Sequence, residues 1–194
     1  MAISEYIKTC AKNVPGNRLT VYLNQISYAS SLTVVSGEIT ALVVATAGAA
    51  TGKFVRVQAD IDSVNFTNEG AGQSNYNETQ TLEMMFGKKT ASLVSLKDDL
   101  ADSVACGIMA IRVDNNGQAW LSGWNEATKG GKERPYNRLE TNFSSGAAPT
   151  DEDGAKMTIR LIRQAGNDEL PFASTLNSSI IRGATAAALF IKFV

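Results

Sequence analysis

Two sets of carboxylates stand close together in the chain: Asp98, Asp99 and Asp102, and Asp151, Glu152 and Asp153. Neighbouring carboxylates can do acid–base work or hold a divalent cation. The first set falls at helical spacing and reads as the wet side of a helix. The second, in Asp-Glu-Asp-Gly, lacks the alternating ligands and distal glutamate of an EF-hand loop. Gly70-Ala71-Gly72 and Gly130-Gly131-Lys132 have the glycines of a phosphate loop but not its full spacing or its strand–loop–helix setting. The chain has no histidine, which removes Ser-His-Asp and Cys-His catalysis, imidazole metal ligation and histidine pH switching. Cys10 and Cys106 are far apart, with no CxxC spacing, and read as isolated buried thiols in a reduced compartment. With no nucleophile beside a base and no cofactor fingerprint, the expectation is a protein that is not an enzyme and carries no cofactor or metal.

Binding chemistry is better represented. Lys129, Lys132, Arg134 and Arg138 surround Tyr136, but Glu126, Glu133 and Glu140 interleave with them. That pattern suits a mixed-charge protein interface, for which Arg134, Tyr136, Arg138 and Phe143 are the candidates. The formal net charge of −1 argues against electrostatic grip on nucleic acid. Both tryptophans, Trp120 and Trp124, fall at period two on one strand face, where they would either anchor a core or interface or stack on a ligand.

The elements that position these residues are mostly strands. Residues 104–124 (VACGIMAIRVDNNGQAWLSGW) form the centre: an apolar run from Cys106 to Val113, a turn at Asp114-Asn115-Asn116-Gly117, and a return run. Both faces of the first run are apolar, so it is expected to be covered on both sides. Asn-Gly predicts a type I′ hairpin turn. Residues 92–104 (SLVSLKDDLADSV) carry Leu93, Leu96, Leu100, Ala101 and Val104 at spacings of three and four, a helix started by Thr90 or Ser92. Strands are predicted at 18–26, 32–35, 38–45, 53–62, 78–86, 157–163 and 186–194. In 53–62, Val55, Val57, Ala59 and Ile61 are expected to face the core. Residues 125–156 are polar and rich in Gly, Pro, Ser and Thr, and read as a long loop that the monomer alone does not order. Residues 1–17 read as an N-terminal arm without a signal-peptide core, and no stretch is long and apolar enough to span a bilayer.

The 194 residues thus read as one mainly β domain: a β-sandwich or partly closed barrel with one flanking α-helix and a long inserted loop. Strand edges at 55–62 or 82–86 would be hazardous in a free monomer. Pairing with copies of the same chain, in a ring or a stack of rings, removes the hazard by closure.

The order RLTVYLNQI, GEITALVV, KFVRVQADIDSVNFTNEG, NETQTLEMMF, SLVSLKDDLADSV and CGIMAIRVDNNGQAWLSGW resembles the major tail tube proteins of tailed bacteriophages, particularly of Bacteroidetes phages. The resemblance covers roughly residues 10–125. It implies a structural virion protein, assembled in the host bacterial cytoplasm, whose ring of six lines a lumen and stacks into a tube through a long loop and terminal arms. The implied partners are the chain itself, other tail proteins of the virion and genomic DNA, which passes without specific binding. Residues lining such a lumen should be polar or acidic, so that DNA slides. The candidates are Gln58 and Asp60, with Arg56 a poorer fit, or Thr79, Thr81 and Glu83. Alternatives are a head-decorating, head-completion or baseplate protein, or a carbohydrate-binding β-sandwich using Trp120 and Trp124.

Overall fold

The computed structural model describes residues 16–44, 52–60, 63–70, 78–87, 90–124, 135–144, 156–165, 169–173 and 180–181. Expectations for the N-terminal arm, Cys10, Ile61, Arg134, the acidic run at 151–153 and the closing strand at 186–194 lie outside these residues.

The fold is mainly β, a sandwich with one flanking helix. Eleven strands are described: β1 (Asn17–Gln25), β2 (Ala29–Val35), β3 (Glu38–Val44), β4 (Val55–Gln58), β5 (Val64–Gly70), β6 (Glu78–Phe86), β7 (Ile108–Asp114), β8 (Ala119–Ser122), β9 (Arg138–Ser144), β10 (Lys156–Ala165) and β11 (Leu170–Pro171). The helix α1 spans Ala91–Val104. One sheet runs β11-β8-β7-β1-β4, a second β5-β6-β10-β9, and β2-β3 is a separate two-stranded sheet.

The five-stranded sheet is the middle layer, because its strands are apolar on both faces. Val21, Leu23, Val57, Ile108 and Ala110 from one face meet Leu82, Met84, Ile159 and Leu161 of the four-stranded sheet, with Leu93 and Leu100 of α1. From the other face, Met109, Ile111, Val113 and Leu121 pack under the β2–β3 hairpin, on Leu32, Ile39 and Val44, and against Phe54 and Phe172. The expected double burial of the central strand is therefore observed: Ile108–Ile111 are all at or below 1% exposure. The helix begins at Thr90, whose hydroxyl accepts from the Leu93 N–H at 3.2 Å.

Several local expectations are corrected. At the central hairpin only Gly117 has positive φ. The Gly117 N–H donates to Asp114 O and the Asp114 N–H to Gln118 O, so the connection is a three-residue loop with a bulge at Gly117. The type I′ pattern, positive φ at both central residues, occurs instead at Ser36-Gly37, between β2 and β3. Cys106 is exposed, in the turn that ends α1, and not in a buried strand. Phe54 is fully buried whereas Val55 is an exposed hydrophobic. Strand β6 is internal, paired with both β5 and β10, so the expected open edge at 82–86 does not exist; β4 is an edge as expected. Within the stretch read as a long loop, residues 138–144 form β9, paired with β10 along its length.

Candidate functional site

Polar chemistry gathers in two places. The first is a seam between the two large sheets. Arg112, on β7, donates from Nε to Glu169 Oε1 at 3.0 Å and Oε2 at 2.8 Å, and from a terminal nitrogen to Asn17 Oδ1 at 2.7 Å. Its guanidinium lies 4.7 Å from the centre of the Phe66 ring and 5.4 Å from that of Trp120. Asn17 in turn donates to Val64 O at 3.2 Å. One side chain thus ties β1, β5, β7, β8 and the residue preceding β11. Nearby, Arg163 donates to Gln80 Oε1 at 2.6 Å and sits 5.7 Å from the centre of the Tyr136 ring, while the Tyr136 hydroxyl lies 2.9 Å from Ser122 Oγ. Burial pushes the Tyr136 hydroxyl up to about 12, against the opposing pull of Arg163. The charged and hydroxyl groups of this seam bond to one another between the sheets, an arrangement suited to holding the sheets in register.

The second place is the outward face of the four-stranded sheet. Alternation puts Gln80, Leu82, Met84 and Phe86 of β6 inward and Thr79, Thr81, Glu83 and Met85 outward, as expected. Cross-strand register then aligns rows across all four strands: Thr67, Thr81, Ile162, Arg138; and Asn65, Glu83, Arg160, Glu140. Glu83 and Arg160 form an ion pair in the second row, which raises the Arg160 pKa. Arg138 pairs with Glu140 at 2.5 Å. Glu69, Glu83 and Glu140 are matched on this face by Arg138, Lys156 and Arg160, so it is polar and close to neutral, rather than acidic. Its edge strands, β5 and β9, each pair on one side only among the described residues.

These two places divide the sequence candidates. Thr79, Thr81 and Glu83 lie side by side on the outward face. Gln58 and Asp60 do not join them; both are exposed along the edge of the other sheet, where the Asp60 N–H donates to Met85 O. Arg138 and Phe143 are exposed on β9. Tyr136 is 0% exposed and belongs to the seam, so it has no surface to offer a partner. The tryptophans do not share a face. Trp120 stacks with Arg112 and donates to Asp114 Oδ2 at 3.1 Å, whereas Trp124 is buried in the core under the hairpin. Gly123 separates them. Its φ is +95°, and a Cβ there would meet Ile108 O at 2.7 Å, so only glycine allows the kink that redirects Trp124. Sequence reasoning missed Arg112, Glu169 and Arg163. A lone arginine inside an apolar strand, IMAIRVD, was the available signal for the first.

A groove of about 310 Å³ lies between β1, β4 and α1, floored by Leu23, Val57 and Leu100 and rimmed by Lys53 and Asp99. No cluster of metal-ligating side chains occurs among the described residues, and no helix among them is long and apolar enough to cross a membrane. The chain matches no protein-family model, no curated protein and no solved structure in comparison with known proteins.

Proposed function

We propose that the protein is a self-assembling structural subunit of a phage tail tube, whose four-stranded sheet lines a DNA-conducting lumen. The observation that carries this reading is the outward face of β5-β6-β10-β9, which is polar apart from Met85 and Ile162 and whose two edge strands each pair on one side only among the described residues. Duplex DNA needs a wall that neither binds nor repels it strongly, and salt-bridged, threonine-rich rows meet that need. Four is an even number, so β9 of one copy and β5 of the next run antiparallel, and the alternation continues around a ring. Six copies would close a barrel of about 24 strands, roughly 40–50 Å across at the backbone. Thr79, Thr81 and Glu83 are the lumen residues in this reading, and Gln58 and Asp60 are not. Such a tube is a virion component built in the host cytoplasm, in contact with other tail proteins at its ends.

The sugar-binding alternative loses its motive, because one tryptophan is buried and the other is covered by Arg112. The test is electron microscopy and light scattering of the purified protein over a range of concentrations. Hollow rings or tubes are expected. A monomer with no hollow particle at any concentration overturns the proposal, and trimers or rings that never stack favour a head or baseplate role.

A further inference from the structure

The β4 edge of the five-stranded sheet is closed at both ends by the fold. We infer that the stretch between, at residues 56–58, binds an extended peptide of another protein in which apolar and acidic residues alternate. The inference stands without the ring reading above. Hydrogen bonding fixes which groups the edge offers. The Ala59 N–H donates to Leu19 O at 2.8 Å, so Leu19 and Ala59 are a bonded pair. In an antiparallel ladder Val21 with Val57 and Leu23 with Val55 are then bonded pairs too. The N–H and C=O groups of Arg56 and Gln58 therefore point away from β1. Two contacts close the edge on either side of them. The Phe54 N–H donates to Ile180 O at 2.8 Å, and the Asp60 N–H donates to Met85 O at 3.0 Å. Among the described residues, no hydrogen bond reaches the outward groups of Arg56 and Gln58. The window between the two closures accommodates about five extended residues.

The two sides of this edge differ. On the α1 side, the exposed Val55 and the buried Val57 line the groove floored by Leu23 and Leu100. Lys53 and Asp99 both rim that groove, so this side carries no net charge. On the opposite side stand Arg56 and Gln58, both exposed, with Arg18 of β1 on the same face. Neither arginine has a carboxylate partner among the described residues. Burial pushes the Tyr22 hydroxyl above its ordinary pKa, while Arg56 and Arg18 both pull it down, so the two guanidinium groups flank one phenol. Asp60 is the one acidic residue of 53–60, and its carboxylate lies over Gly87 instead. A strand added here takes its main-chain bonds from Arg56 and Gln58. Period two then sets its side chains alternately over Val55 and Val57 and beside Arg56 and Arg18. Apolar residues match the first pair, and aspartate or glutamate the second. A second copy is a poor occupant, because β4 laid on β4 crowds the arginines of both copies together.

The probe is a dye-labelled peptide, Gly-Val-Glu-Val-Glu-Val-Gly, titrated with the full chain and followed by fluorescence anisotropy. Saturable binding that weakens with added salt is expected. Two control peptides are expected to bind about tenfold more weakly or worse: one with lysine in place of glutamate, and the acidic one with its central amides N-methylated. No binding of the acidic peptide, or equal binding of either control, overturns the proposal. Arg56→Glu is expected to weaken the acidic peptide by about tenfold and to strengthen the lysine peptide. If both peptides bind this variant as they bind the parent, the charge match is wrong and the proposal falls. Gln58→Pro removes an outward N–H without touching the pairing with β1, and is expected to abolish binding. A folded Gln58→Pro protein that still holds the acidic peptide overturns strand addition. Sedimentation of the protein alone tests the other occupant: self-association that Gln58→Pro abolishes assigns the edge to a second copy and overturns the proposal.

Discussion

Two arginine–glutamate pairs hold the same chemistry in opposite settings. Arg112 and Glu169 are 14% and 4% exposed, enclosed between sheets with Asn17, Phe66 and Trp120. Arg160 and Glu83 are 48% and 20% exposed on the open face. In the first setting, removing one partner strands a charge where water cannot reach it; in the second, water replaces the partner. The difference separates what holds this molecule together from what it presents to others. The seam is fixed by the fold, and the outward rows are free to vary without loss of the core.

That contrast is open to direct test. Arg112→Ala is expected to cost about 3–5 kcal/mol in urea unfolding, because the buried Glu169 carboxylate loses the guanidinium that binds both of its oxygens. Replacing both, as Arg112→Met with Glu169→Leu, should recover most of the loss; if the double variant is as unstable as the single, the stranded-charge explanation is wrong. Tyr136→Phe should show its effect through pH. The folded-state pKa is raised to about 12 from an ordinary 10, so the folded protein holds the proton more tightly than the unfolded chain. The stability from this group is whole below pH 10 and is lost as pH rises from 10 through 12. The variant should therefore lose less stability on going from pH 9 to pH 11.5 than the parent, while sitting about 1 kcal/mol lower at pH 8 for want of the bond to Ser122. Parallel curves would refute the assignment. Thr90→Ala, at the start of α1, should cost about 1 kcal/mol by thermal or urea melting, and Thr90→Ser almost nothing. Least of all, Glu83→Gln with Arg160→Gln should leave the unfolding midpoint unchanged at low and high salt. A clear drop would show that the outward rows are structural too.

Much of the architecture was legible because burial writes itself into spacing. The alternation of 78–86 marked both faces of β6, Gln80 included, and the unbroken apolar run of β7 announced a strand covered on both sides. Legibility failed where burial is double or absent. In 53–58 both faces of the sheet find a core, so period two alone does not choose between Phe54 and Val55. β9 fails for the opposite reason. Arg-Leu-Glu-Thr-Asn-Phe-Ser is an exposed edge with little apolar patterning, and its strand conformation comes from β10 beside it. Tyr136 was hidden for a related reason, a single core residue in a polar stretch. The tryptophans were misassigned because one glycine reversed the phase of the strand, and the turn at 114–117 because Asn-Gly also fits a bulged loop. The candidate site was half visible: Thr79, Thr81 and Glu83 could be named, but the register that aligns them with Arg160 and Arg138 is a long-range property.

The long reach of these pairings has a kinetic meaning. β2–β3, β5–β6 and β7–β8 are neighbours in the chain and can zip early. β1 must wait for β7, 91 residues away from Val21 to Arg112, and β6 for β10, 79 residues away from Leu82 to Leu161. Such closures are slow, on the order of milliseconds to seconds. Until β10 arrives, β6 is an exposed and unshielded edge. The chain thus passes, while folding, through a form with one edge too many, and the speed of the last closure governs whether it completes its fold or tangles with its neighbours.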